Sequence, residues 1–330
     1  MYILREKGYS YKEIGKALKR AESSVWNEMY RNQVMGRYDP IKAKHKAYVR
    51  RHNAKYQGKK IVENKELRIF VETRLLDGQS PEGISGRLKY KYEKYEKDLP
   101  YVSKDSIYRY IKSVYGRKIE AKLRKKKRRG KKRGRLGTID GRTFIDKRPK
   151  HINARMKIGH AEFDFIVSGK TGKGILLVVT DRKLRVSFLE PIYKVSIANV
   201  HLVARKIRKR YPEWRTGTTD NDLLFARHKE LEKELSIKIY FCHPYHSWEK
   251  GTIENTNGEI RKDVPKGSDI SKYSRFFFKK LEKKLNDRFM KCLKYKTPNE
   301  VTELCRKQKS SEVFGVEGEN DGILIEAVGR

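Results

Sequence analysis

An acidic residue set inside an apolar strand is the strongest constraint in this chain. Asp164 follows Phe163 and precedes Phe165-Ile166-Val167 in the run GHAEFDFIVSG. A carboxylate there is costly to bury unless something neutralises it. The flanking pattern shows what kind of sheet the strand belongs to. Residues 161–168, 174–181 and 185–190 are short, apolar and β-rich, and Gly169-Lys170-Thr171-Gly172-Lys173-Gly174 makes a hairpin turn between the first two. Ser196 to Arg210 reads as a helix with Val200, Val203, Ala204 and Ile207 on one face. A strand at about 215–219, a helix at about 223–235 and the strand Ile237-Lys238-Ile239-Tyr240-Phe241 follow. The loop Cys242 to Lys250 then leads to a helix bearing Glu254. Antiparallel strands followed by alternating helix and strand predict an α/β core, a mixed five-stranded sheet with helices on both faces.

Two further carboxylates stand in comparable places. Asp220 ends a short segment at the polar turn TTDND, and Glu254 opens the stretch GTIENTNGEIR. Fifty-five residues separate Asp164 from Asp220, and thirty-three separate Asp220 from Glu254. Acidic groups brought together by a fold repel one another unless divalent cations neutralise them. Oxygen ligands of this kind suit Mg²⁺ or Mn²⁺. A pair of such ions is a standard device for displacement at phosphorus.

The charge balance points to the partner. The chain carries 80 Lys+Arg against 41 Asp+Glu, a formal charge of +39. Self-repulsion on that scale favours a polyanionic partner, and nucleic acid is the first expectation. Charge alone does not separate a catalyst from a basic structural protein. Residues 1 to about 35 read as helices broken at Gly8-Tyr9-Ser10, with Ser23-Ser24 placed to cap the second. This is a helix-turn-helix pattern whose second helix offers Ser24, Asn27 and Arg31 to DNA. A related pattern follows: a stripe of Leu67, Phe70, Val71, Leu75 and Leu76, a helix started by Ser80-Pro81, and a third capped by Ser103. The third helix offers Lys104, Ser106 and Arg109. Arg117 to Arg133 holds twelve basic residues and one acidic, so it reads as an extended linker and phosphate-binding arm, with Lys126, Arg128 and Arg129 among its cations.

Three cysteines, Cys242, Cys292 and Cys305, form no CxxC pair, which argues against a disulfide scaffold or zinc site. No apolar run is long enough to span a bilayer and the N-terminus lacks a signal pattern, so a cytoplasmic, nucleoid-associated protein with no membrane partner is expected. The expected domains are a helix-turn-helix unit at 1–60, a second at 61–116, the basic arm at 117–150, the catalytic core at 151–307 and a loose acidic, Gly-rich tail at 308–330.

The order of core elements resembles the RNase H-like fold, and specific phrases carry a closer resemblance. SPEGISGRLK, VSKDSIYRYI, DKRPKHINARMKIGHAEFDFI, TDNDLLFARH, YFCHPYHSWEKGTIENTNGEIRKDVPKGSDI and LNDRFMKCLKYKTPNEV resemble the IS-thirty family of insertion-sequence transposases. The similarity runs from about Gly8 to Val301, and PYHSWEKGTIENTNGEIR is its most specific block. The resemblance implies that Asp164, Asp220 and Glu254 are a DDE triad holding Mg²⁺ or Mn²⁺, two ions in all. It implies cleavage at terminal inverted repeats, strand transfer into target DNA, and a homo-oligomer on double-stranded DNA with no organic cofactor. The chain departs from the family pattern at Ala161 (usually Trp), Phe163 (usually Gly), Asp222 (usually Gly) and Leu224 (usually Glu).

Neighbouring residues take subordinate expectations. Strand alternation is read as aiming Glu162 away from Asp164, in a structural role. Asp181 reads as a turn or cap. His243, His246 and Trp248 precede Glu254; two histidines are a weak metal signal, so DNA-end contact or loop packing is expected. Asn257 and Arg261 fall one and two turns after Glu254, so Asn257 is expected to orient the site or DNA, and Arg261 to bind phosphate. Lys250 and Lys266 are expected backbone-phosphate contacts. Two rivals remain: a catalytically decayed or domesticated DNA-binding regulator, and an RNase H-type or resolvase-like nuclease without terminal-repeat dependence.

Overall fold

The computed structural model describes residues 1–54, 59–122, 139–169, 172–244 and 246–314. The chain begins with α1 (Tyr2–Glu6), α2 (Tyr11–Leu18) and α3 (Glu22–Arg31), then a short ribbon of β1 (Gln33–Val34) and β2 (Arg37–Tyr38). Next come α4 (Pro40–Ala54), α5 (Lys59–Glu63), α6 (Lys65–Leu76), α7 (Pro81–Tyr90), α8 (Lys94–Lys97), α9 (Lys104–Lys112) and α10 (Arg117–Lys122). After α11 (Lys150–Asn153) follow β3 (His160–Val167), β4 (Ile175–Asp181), β5 (Ser187–Ile192), α12 (Ile197–Arg210), β6 (Thr216–Thr219), α13 (His228–Leu235) and β7 (Lys238–Phe241). The last elements are α14 (Gly251–Asp263), α15 (Arg275–Asn286) and α16 (Pro298–Phe314). Contacts divide the chain into two compact units, Met1–Lys65 with Asp105–Arg117 and Glu66–Lys104 with Lys118–Arg330. The stretch 61–116 thus contributes to both.

In the first unit, α2 starts at a capping box. The Ser10 hydroxyl accepts from the Glu13 amide, and the Glu13 carboxylate accepts from the Ser10 amide at 2.7 Å. Ile14, Val25 and Met29 form the buried core, with Leu4, Tyr11 and Tyr38 packed against it. Two local expectations are corrected. α3 begins at Glu22, with Ala21 before it and no side-chain cap, so Ser23 and Ser24 lie inside its first turn. An acidic first residue suits the positive end of the helix and extends it back past the serines. The helical run also stops at Arg31 rather than near 35, because Met35 and Gly36 both take left-handed φ (51° and 74°) and turn β1 into β2. Ser24, Asn27 and Arg31 are exposed on α3, and Lys104 and Arg109 are exposed on α9.

The second unit holds a five-stranded sheet in the order β5-β4-β3-β6-β7. β3–β4 and β4–β5 are antiparallel, while β3–β6 and β6–β7 are parallel. This is the mixed sheet that the sequence predicts, with its helices on both faces. Ala161, Phe163 and Phe165 of β3 pack with Val200, Val203, Ala204 and Ile207 of α12 and Leu231 and Leu235 of α13. Ile166 packs on the opposite face with Leu176, Val178, and Ile253, Ile260, Phe278, Leu281 and Leu285 from α14 and α15. Asp164 has the parity of Ile166 and therefore faces α14 and α15. Phe163, a departure from the family pattern, fits because β6 carries Gly217 beneath it. A Cβ at 217 would stand 2.0 Å from the Phe163 ring.

α7 starts as its sequence predicts, with Ser80 accepting from the Gly83 amide and Pro81 in the first turn. It places Arg87 in the interior of the second unit. Its Nε donates to Glu96 at 2.7 Å and Nη1 donates to Glu300 at 2.8 Å, so one guanidinium ties α7 to α8 and α16. Its side chain is 2% exposed and that of Glu96 is fully buried. Removing one partner of a buried pair strands the other charge. Arg87→Met is expected to cost about 3–5 kcal/mol of stability in urea unfolding. A loss indistinguishable from zero would show that these charges are solvated. α16 continues to Phe314, past the tail boundary expected at 308, and residues 315–330 lie outside the described residues. So do Lys126, Arg128 and Arg129 of the basic arm. Among the described residues no helix is long and apolar enough to cross a membrane.

Candidate active site

The parallel pairing of β3 with β6 brings the first two carboxylates abreast. Glu162 pairs with Thr218, so two residues further on Asp164 draws level with Asp220, the first residue beyond β6. Both converge on one cation: the Lys250 ammonium lies 3.1 Å from Asp164 Oδ1 and 2.9 Å from Asp220 Oδ2. Asp164 is further fixed by the Phe165 amide, which donates to Oδ1 at 2.9 Å, and by Asn257 Nδ2, which donates to Oδ2 at 2.8 Å.

The electrostatics follow from this crowding. Burial pushes the Asp164 carboxyl above its ordinary range; Lys250 opposes that shift and the Asp220 charge adds to it. Burial pulls the Lys250 ammonium down, but the two carboxylates outweigh it and hold the group above the usual lysine value. Lys250 is 5% exposed. It points into the carboxylate pair rather than outward as the expected phosphate contact. Sequence reasoning missed this, because a lysine one turn before Glu254 reads as one more cation in a basic chain.

α14 supplies the third carboxylate. Glu254 sits exposed in its first turn, with Asn257 and Arg261 following at helical spacing on the same face. Asn257 reaches Asp164 directly. Arg261 is half-buried; burial lowers its pKa while the Asp164 charge counters that, and its Nη1 donates to the Pro265 carbonyl at 3.4 Å. Lys266 is exposed beyond the helix.

Glu162 corrects the sequence reading. Residues two apart on a strand share a face, so Glu162 lies on the side of Asp164, not the opposite one. Its Oε2 accepts from the Ile253 amide at 2.9 Å, inside the first turn of α14, and its Oε1 accepts from Arg182 Nε at 3.0 Å. It therefore anchors the start of the helix that carries Glu254. The signal was available in the spacing of the two acids.

The remaining acids have local structural tasks. Asp181 accepts from the amides of Gly159, Lys183 and Leu184 and from the Tyr211 hydroxyl, closing the turn after β4. Asp222 Oδ1 caps the Leu224 amide at 2.9 Å; burial raises its pKa. That family departure starts a short helical turn beside the site. His243 and His246 gather instead around Glu249, and Trp248, 69% exposed, stacks on His246 with ring centres 4.4 Å apart.

Two buried oxygens in this group have no hydrogen-bond donor, Asp220 Oδ1 and Asn257 Oδ1. Buried acceptors of this kind are rare without an explanation such as an ion or a water. Buried carboxylate and amide oxygens gathered at one point, two of them without a donor, match the needs of a hard divalent cation.

No protein-family model matches the chain. Relatives that match most of its length are informative. It is 38% identical to the transposase for insertion sequence element IS4351 of Bacteroides fragilis, over 88% of this chain and 89% of that protein. It is 33% identical to the transposase InsI for insertion sequence element IS30A of Escherichia coli K12, over 89% of this chain and 79% of that protein. Among solved structures, the catalytic core domain of BIV integrase is 17% identical, with a TM-score of 0.36, covering 46% of this chain and 98% of that one. The two transposase relatives define an insertion-sequence transposase, an enzyme that cuts and joins DNA. The chain belongs to the IS30 family, as its motifs predict.

Proposed function

We propose that this transposase works through Asp164, Asp220 and Glu254 as a DDE triad, binding the terminal inverted repeats of its element and transferring the cut ends into target DNA. The observation that carries the reading is the convergence of Asp164 and Asp220 on a single cation, with Asp164 also held by the Glu254 helix through Asn257. The donor set fits Mg²⁺ or Mn²⁺, and two bound ions would activate the attacking oxygen and stabilise the leaving oxygen at phosphorus.

The chain's own residues do the positioning. Asp164 stands on the central strand with both oxygens oriented, so its lone pairs aim at fixed points. Asp220 presents a free oxygen, and Glu254 approaches from a helix anchored by Glu162. Arg261 offers positive charge to the scissile phosphate from the same face. Asn257 keeps Asp164 from turning. No covalent protein–DNA link is needed, because water and then the freed 3′-OH serve as nucleophiles. The N-terminal unit, with Ser24, Asn27 and Arg31, reads the repeats. Lys104, Ser106, Arg109 and the basic arm add contacts, and two copies pair the element ends. Such a protein works at the nucleoid.

A Mg²⁺-dependent cleavage and strand-transfer assay on DNA carrying the native terminal repeats tests this, comparing the wild type with Glu254→Gln. Activity in the wild type alone, with binding in both, is expected. Binding without cleavage in both would establish the regulatory reading instead. Cleavage independent of the repeats would establish the nuclease.

A further inference from the structure

The loop that delivers Lys250 and Glu254 contains a second constellation that the transposition chemistry does not use. We propose that His243, His246 and Glu249 form a binding site for a zinc-type divalent cation, distinct from the catalytic carboxylates, that fixes this loop. His243 Nδ1 and His246 Nδ1 both turn to Glu249 Oε1, at 3.0 and 3.2 Å. The three donor atoms lie within 4.8 Å of one another. Ligands about 2.0–2.1 Å from a tetrahedral zinc ion stand about 3.3 Å apart, so a small inward shift converts this cluster into three corners of a tetrahedron.

The supports around the cluster are those of a built site. Glu249 Oε2 accepts from the His243 amide at 2.8 Å, which leaves Oε1 for the imidazoles. His243 Nε2 meets Asp146 Oδ2 at 2.8 Å. A carboxylate on the far nitrogen of a ligating histidine sets its tautomer and orientation. Both rings are held flat: Phe144 stacks on His243 at 5.3 Å and Trp248 on His246 at 4.4 Å. The side chain of His246 is 43% exposed, so the fourth position opens to water.

The donor chemistry separates the two sites. Two imidazoles and one carboxylate select zinc and similar transition metals over magnesium, whereas the triad offers oxygen alone. On binding, the cation takes the Nδ1 position of both rings: His243 gives up its Nδ1 proton to solvent and keeps the Nε2 proton for Asp146, while His246 binds as the neutral imidazole with its one proton on Nε2. The chain from Cys242 to Lys250 is then clamped by three of its own residues immediately before α14 begins.

Titration calorimetry of the untagged full chain with Zn²⁺, in excess Mg²⁺, tests the site. One Zn²⁺ is expected to bind the wild type and Asp164→Asn alike. His246→Gln, at an exposed position that should not disturb folding, is expected to weaken binding at least about 100-fold, beyond the usual loss from an outer-shell change. Co²⁺ in the same protein is expected to give a tetrahedral spectrum without a thiolate charge-transfer band. Equal affinity in His246→Gln, binding lost only in Asp164→Asn, or a thiolate band from Cys242 would each overturn the proposal. Since Asp164→Asn removes the proposed catalytic chemistry but not this binding, the two readings fail separately.

Discussion

Asp164→Asn is expected to abolish metal-dependent cleavage and strand transfer while leaving repeat binding intact. In the proposed triad, losing one carboxylate removes several kcal/mol of transition-state stabilisation, a fall of roughly 10³-fold or more. Asparagine preserves the shape and can still accept from the Phe165 amide, so the loss reports charge rather than collapse. The fold should tolerate the change. Burial raises the folded pKa of Asp164, so its ionised form is the one that folding disfavours. A raised carboxyl contributes stability below its unfolded value and loses it as pH rises through the folded value. At neutral pH, removing that adverse charge offsets the lost bond to Lys250. Unfolding midpoints close to wild type, with no cleavage, are the expected pair of results. Cleavage retained within tenfold would remove Asp164 from the triad.

Much of this is legible in the sequence. An aspartate between Phe163 and Phe165 could only be a strand residue with a task, and the spacing of apolar segments around it gave the mixed sheet. The capping signal at Ser80 was readable because its partner, the Gly83 amide, is local. The side of the strand taken by Glu162 was equally readable, because residues two apart on a strand share a face. Lys250 was not readable. Its burial depends on the loop from β7 folding back across the ends of β3 and β6, a non-local event that leaves no period in the sequence. The ribbon at Gln33–Tyr38 was hidden for a different reason, since its turn needs positive φ at Met35, a residue type that rarely advertises it.

Lys250→Met should separate the two tasks its ammonium could have. In the metal-free protein that group is the counter-charge for Asp164 and Asp220, and its side chain is 7% exposed. Methionine keeps the stem and removes the charge, leaving a mostly buried Asp164 and a half-exposed Asp220 to repel each other. The expected cost is about 1–3 kcal/mol, since water screens Asp220, read as a drop in the urea midpoint without metal. Added Mg²⁺ then becomes diagnostic. A ligand that binds only the folded state adds about 2.7 kcal/mol at a hundredfold excess over its Kd. In the wild type a cation must first displace the ammonium, whereas in Lys250→Met the carboxylates are already free. The variant should therefore recover more stability from Mg²⁺ than the wild type gains, and saturate at lower Mg²⁺. Equal increments in both proteins would mean that Lys250 and the metals occupy the site together. The lysine would then be a fixed part of the loaded site rather than the cation that a metal replaces.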